Sequence, residues 1–132
     1  MRVVLIHIRD PQFYAFPVEK RSRRGVPQVI GFPPIGIMSL SSVLKRAGHE
    51  CTMFDQANPE TPNDVILDAI REQKPDLVGL SFLSTTSYPY AKILARQIRA
   101  AVPDVKLAFG GVFVTLNAIR VKQQCEEVDF VC

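Results

Sequence analysis

Short runs of aliphatic and β-branched residues punctuate the chain at residues 3–8, 51–54, 77–82, 105–109 and 128–131. Their length and near-continuous apolarity suit strands buried on both faces, so five strands are predicted. Between them the apolar positions return every three or four residues, the spacing of a helix with one buried stripe. Ile37, Leu40, Leu44 and Ala47 form one such stripe, Val65, Ile66, Ala69 and Ile70 a second, and Tyr88, Ala91, Ala95, Ile98 and Val102 a third. A weaker pattern over residues 115–125 predicts a fourth helix.

The expected helix ends carry their own signals. Pro34 is suited to the first turn of the first helix, Met38 falls in its apolar pattern, and Gly48 stands where a left-handed residue would close it. Thr61 is placed to cap the second helix, with Pro62 at its first position and Asp64 favourable to its dipole; Pro75 and Pro103 stop the second and third. Strand and helix alternating in this way imply a parallel sheet with right-handed crossovers, hence a doubly wound α/β domain spanning residues 1–132 with helices on both faces. The expected strand order is the flavodoxin-like 2-1-3-4-5, with a Rossmann order as the alternative. In either case ligands bind beyond the carboxyl ends of the strands, which directs attention to the loops after Ile8, Phe82 and Phe109.

Composition narrows the function classes. With 132 residues, 47% of them apolar and 22% charged, the chain can bury a core without disulfides or a structural metal. A net charge of +3 is mild, and the only dense basic run, Lys20, Arg21, Arg23 and Arg24, lies in a predicted loop, so nucleic acid is not an expected partner. Three cysteines without short metal spacing suit a reducing cytoplasm, and no apolar run approaches a membrane span.

The loops fail the tests for common nucleotide chemistry. Gly31 and Gly36 have the spacing of a P-loop, but Ile37 and Met38 replace its lysine and hydroxyl residue. No Gly-x-Gly-x-x-Gly follows the first strand, and Asp10 and Asp55 alone do not make the acidic cluster of a receiver domain. What the loops hold is small and neutral: Ser81-Phe82-Leu83-Ser84-Thr85-Thr86 after the third strand and Gly110-Gly111 after the fourth. Such residues build a slot in which a ligand can approach backbone closely and hydroxyls can satisfy a heterocycle. Taken singly, the glycines also read as a turn and the serines as helix caps.

Taken together, Ser81-x-Leu83 followed after 26 residues by Gly110-Gly111 resembles the second and third elements of the cobalamin-binding domain family. Phe32-Pro33-Pro34-Ile35-Gly36, the helix end Leu44 to Glu50, the segment Lys74 to Ser81 and the final Val128-Asp129-Phe130-Val131 resemble the N-terminal domains of B12-dependent radical SAM enzymes. The resemblance implies a cofactor, cobalamin, whose nucleotide tail threads between the strand ends. It implies a binding set of Pro33, Pro34, Ile35 and Gly36, of Ser81, Leu83, Ser84 and Thr85, and of Gly110, Gly111 and Val112.

In the branch of that family that ligates cobalt through histidine, the first loop carries Asp-x-His-x-x-Gly. Gly36 matches the last position, but Pro33 stands at the histidine and Gly31 at the acid, which implies binding with the tail base displaced and no histidine from this loop. His7, within the first strand, and His49, at the amino end of the second, are expected to be structural, and no metal ligand or catalytic residue is assigned. No three-cysteine cluster motif occurs, and the chain stops at Cys132 before a helix could cover the fifth strand. The expectation is a domain excised or truncated from a longer chain, whose remainder would hold S-adenosylmethionine and a 4Fe–4S cluster and act as a methyltransferase, although some relatives cyclise or contract rings. A non-catalytic sensory or interaction module that has lost cobalamin, or another small-ligand domain, is the alternative. The long basic loop between Arg9 and Phe32 suggests a lid or an interface.

Overall fold

The computed structural model describes residues 1–10, 33–58 and 60–132, so the basic run at Lys20–Arg24, Gly31 and the long first loop lie outside the described residues. Five strands form one parallel sheet: β1 (Arg2–His7), β2 (Glu50–Asp55), β3 (Leu77–Ser81), β4 (Lys106–Gly110) and β5 (Phe130–Val131). Their order is β2-β1-β3-β4-β5, as expected. The connecting helices are α1 (Ile35–Arg46), α2 (Asn63–Gln73), α3 (Tyr88–Ala101) and α4 (Val112–Gln124).

The period of two along each strand sorts the core into two layers. Val4, Ile6, Val78, Leu80, Leu107 and Phe109 point to one face, where α2, α3 and α4 cover them with Ile66, Ile70, Leu94, Ile98 and Val114. Val3 and Leu5 point to the other, where Ile37 and Leu44 of α1 pack over β1 and β2. Among the described residues α1 is the only helix on that second face.

Several local expectations are corrected. The stripe that α1 buries is Ile37–Ser41–Leu44, with Leu40 and Met38 exposed, so Met38 is not a core residue. The helix is rotated so that the small Ser41 approaches the sheet. Pro34 is the residue before the first turn of α1, not within it. Thr61 does not cap α2: Pro62 occupies the cap with an extended ψ of 170°, and the helix begins at Asn63. The stripe of α2 runs through Ile66, Leu67 and Ile70, leaving Val65 exposed. Helix α4 starts at Val112, ahead of the expected 115, and kinks at Asn117, whose side-chain amide donates to the Phe113 carbonyl at 2.9 Å. Strand β5 is reduced to two residues, and α2 closes on Lys74, left-handed at φ 45°, immediately before Pro75. Gly48 takes the expected left-handed conformation at φ 83°.

Candidate functional site

Parallel register lines up the last residues of four strands. Asp55 of β2 is the partner of His7 in β1, His7 of Ser81 in β3, and Ser81 of Gly110 in β4. All four belong to the face that carries α1, because they share parity with Val3 and Leu5. One row inward lie Met53, Leu5, Gly79, Ala108 and Phe130. The Leu5 side chain already lies over Gly79, 2.9 Å from where a Cβ would stand, so the open β3–β4 part of this face is floored by Ser81, Ala108 and Gly110, none with a side chain larger than a hydroxymethyl group. It forms a shallow groove leading to the carboxyl edge.

The two glycines of the fourth-strand loop differ in what their missing side chains spare. A Cβ at Gly110 would meet nothing within 4 Å, so packing within the domain does not require glycine there. A Cβ at Gly111 would lie 2.3 Å from the Phe82 carbonyl oxygen, and its φ of 106° is one that side chains rarely adopt. Gly111 lets the β4–α4 turn close against β3, where the Phe82 amide donates to the Gly110 carbonyl at 3.1 Å. Alternation then sends Ser81 to the groove and Phe82 to the opposite core, where Phe82 meets Phe109 edge-on at 5.2 Å. Gly36, in the first turn of α1, also faces open space.

Ile35, Leu83 and Val112 are largely exposed at the heads of the first, third and fourth loops, giving the carboxyl edge an apolar rim. Pro33 and Pro34 precede α1 at the same edge, and the Pro33 carbonyl accepts from the Ile35 amide at 2.7 Å. Ser84 is turned into its own loop: its hydroxyl donates to Asp10 Oδ2 at 2.6 Å and its oxygen accepts from the Ser87 amide at 3.2 Å. Thr86 donates to Asp10 Oδ1 at 2.9 Å, so the Asp10 carboxylate fastens the third loop to the end of β1. Thr85 is exposed, and its carbonyl accepts from the Tyr88 amide at 3.4 Å.

Sequence reading assigned no role to Asp10 and a structural one to His7. In the folded chain His7 Nδ1 lies 2.9 Å from Asp55 Oδ1, in the same row as Ser81. His49 lies at the opposite edge, its Nδ1 3.4 Å from the terminal amine of Met1. The three cysteines are free; Cys125 is buried and donates to Glu127 at 3.2 Å, and burial first, then that carboxylate, pushes its thiol up to about 12. Such a thiol is a packing group rather than a nucleophile. Among the described residues no group of three or more His, Cys, Asp or Glu side chains could hold a metal ion, and no helix is long and apolar enough to cross a membrane.

A family model described as "B12 binding domain" matches residues 20–132. An anaerobic magnesium-protoporphyrin IX monomethyl ester cyclase from Synechocystis sp. (strain ATCC 27184 / PCC 6803 / Kazusa) is 26% identical over 100 residues, covering 75% of this chain and 20% of the cyclase. The crystal structure of a novel cobalamin-binding protein from Desulfitobacterium hafniense DCB-2 superimposes with a TM-score of 0.66 at 21% identity, over 98% of this chain and 50% of that one. The chain thus spans a fifth of the cyclase and half of the solved structure, and the latter likeness is one of fold. The matched segment of 20–132 contains the small-residue groove, the Ser81-x-Leu83 loop and the Gly110-Gly111 turn, and on that match the chain belongs to the B12-binding domain family.

Proposed function

We propose that this domain binds cobalamin at the carboxyl edge of the sheet with the nucleotide tail lying in the groove of Ser81, Ala108 and Gly110. The observation that carries the reading is the open space in front of Gly110, where an added Cβ would meet nothing within 4 Å. The groove also fits the cofactor chemically. The floor carries no side chain larger than that of Ser81, whose hydroxyl can donate or accept, and Ile35, Leu83 and Val112 offer apolar surface to the ring's periphery. Leu83, Val112, Ile35 and Gly36 line the mouth in this reading, and Ser84 acts on the loop through Asp10 rather than on the ligand. Pro33, at the position where part of the family carries a ligating histidine, brings no donor, so this loop would give cobalt no histidine, and a tail held in the groove would keep its base off the metal.

Bound cobalamin would supply cobalt-centred methyl or radical chemistry, while this chain binds, orients and shields it. The wider reading is that the domain serves a radical SAM methyltransferase, whose remaining part would bind S-adenosylmethionine and an iron–sulfur cluster. It rests on the resemblance of the proline-rich loop and of the β3 and β5 segments. The cyclase relative favours a second reading, in which the same domain serves a ring-forming reaction.

Titration of the protein with hydroxocobalamin tests the core of the proposal. The expected outcome is co-elution of corrinoid absorbance with protein on gel filtration, and a Co(II) spectrum without nitrogen hyperfine coupling from the tail base. Protein that emerges colourless from the column sinks the cobalamin reading; a coupled base nitrogen would sink only the base-off assignment.

A further inference from the structure

We infer that His7, oriented by Asp55, is an additional binding residue for the nucleotide tail of cobalamin, an inference that rests on the cobalamin reading above. The row that contains Ser81 and Gly110 continues directly into His7 and Asp55, the four residues being successive cross-strand partners on one face of the sheet. A group lying along the Ser81–Gly110 floor therefore has His7 as its next neighbour. The side chain is neither fully buried nor free in solvent, with 21% of its surface accessible, so part of the ring is open to a ligand.

The hydrogen bond to Asp55 decides what the imidazole offers. An ionised carboxylate only accepts, so the 2.9 Å contact requires the proton on Nδ1. Asp55 Oδ1 is itself fixed, accepting from the Ala57 amide at 2.9 Å. In the neutral ring the lone pair then belongs to Nε2, and because the two ring nitrogens face nearly opposite ways, Nε2 faces away from β2. Orienting a histidine through a carboxylate on its other nitrogen is the device by which proteins present one ring nitrogen to a ligand. Nε2 is thus prepared to accept a hydrogen bond from a donor on the tail, a ribose hydroxyl or the amide N–H of its linker. Asp55 is a positioning residue acting through His7.

The decisive comparison uses cobalamin and cobinamide, which keeps the corrin but lacks the nucleotide. Dissociation constants are measured for the wild type, His7→Leu and Asp55→Asn, with far-UV circular dichroism and melting as a check of folding. Loss of one hydrogen bond predicts that His7→Leu binds cobalamin about tenfold more weakly, with cobinamide affinity unchanged; Asp55→Asn should show a smaller loss of the same selectivity. An equal loss for both corrinoids would make His7 merely structural, and unchanged cobalamin affinity would remove it from the site; either overturns the inference. If His7→Leu melts, His7→Gln and Asp55→Asn carry the same comparison. Wild-type protein that binds neither corrinoid overturns the cobalamin reading itself and this inference with it, an outcome distinct from a wild type that binds and variants that do not discriminate.

Discussion

Gly110 and Gly111 are adjacent, yet a side chain at each would have opposite consequences. At Gly110 an added Cβ would project into the groove and meet nothing within 4 Å, and the backbone is that of an ordinary strand end. Gly110→Val should therefore leave the melting temperature nearly unchanged while weakening cobalamin roughly ten- to a hundredfold, the effect of about 1–3 kcal/mol of overpacking in a filled site. At Gly111 the added atoms would collide with the Phe82 carbonyl, and φ of 106° with ψ of 171° belongs to a region almost reserved for glycine. Gly111→Ala should lower stability by about 1–3 kcal/mol in urea unfolding before any ligand is added. Equal melting temperatures for the two variants would contradict this division of roles. The Gly-Gly pair is visible in the sequence, but which glycine serves the fold and which leaves room is not, since that depends on where Phe82 comes to lie. The same holds for His7. Its place within a strand can be read from the pattern, whereas its neighbours Asp55 and Ser81 follow only from strand order and register.

At the scale of elements, β5 poses the sharpest question, since two residues cannot hold an edge strand by ladder bonds alone. Side chains reinforce the backbone bonds from the Asp129 and Cys132 amides to the Leu107 and Phe109 carbonyls. Arg99, at the end of α3, donates to the carbonyls of Pro103, Val105 and Glu127 and to Asp129 Oδ2 at 2.8 Å, while that same oxygen accepts from the Leu107 amide at 2.8 Å. Lys122 of α4 reaches the Val128 carbonyl from the other side. Partial burial alone would raise the Asp129 pKa, but the Leu107 amide, Arg99 and Lys106 outweigh it and hold the carboxyl below its usual value of 3.8. Because the folded pKa lies below the unfolded one, the stabilisation is complete at neutral pH and is lost as pH falls below about 4 through the folded value. Asp129→Asn should then cost about 1–3 kcal/mol at pH 7, as expected for charged hydrogen bonds, and the gap from wild type should narrow on acidification. Chemical unfolding at pH 7 and at about pH 3 checks both. The elements themselves were largely legible: the five expected strands and four expected helices fall within a few residues of expectation, because short apolar runs mark the strands and a helical period marks α1, α2 and α3. The failures have local causes. Leu40 and Met38 fit the helical period as well as Ser41 does, and only contact with the sheet selects the stripe; α4 exposes Leu116 and Ile119, which blurs the pattern that would have marked its start.

For the whole molecule the two faces of the sheet differ in what they have to gain from a ligand. On the face of α2, α3 and α4 the core is continuous from Val4 to Val128, and Phe82, Phe109, Phe113 and Tyr88 fill it beneath the carboxyl edge. On the other face α1 covers β1 and β2, while the small residues of β3 and β4 form the groove. A cofactor seated there should suppress local opening around that groove without altering the packing of the opposite layer. Hydrogen exchange can separate this from the general stabilisation that any ligand of the native state brings, about 2.7 kcal/mol at a hundredfold excess over its dissociation constant. Amides that exchange only through global unfolding will slow everywhere, so the informative ones are those that exchange quickly through local fluctuation. With cobalamin bound, fast-exchanging amides at 35–38, 83–86 and 111–113 should slow several-fold, whereas those at the ends of α2 and at 56–58 should not. Protection centred on α2 and α3 would place the ligand on the other side of the sheet and refute the groove as its site. Protection of the first set that persists in Gly110→Val would show the same loops responding to a ligand that does not enter between β3 and β4.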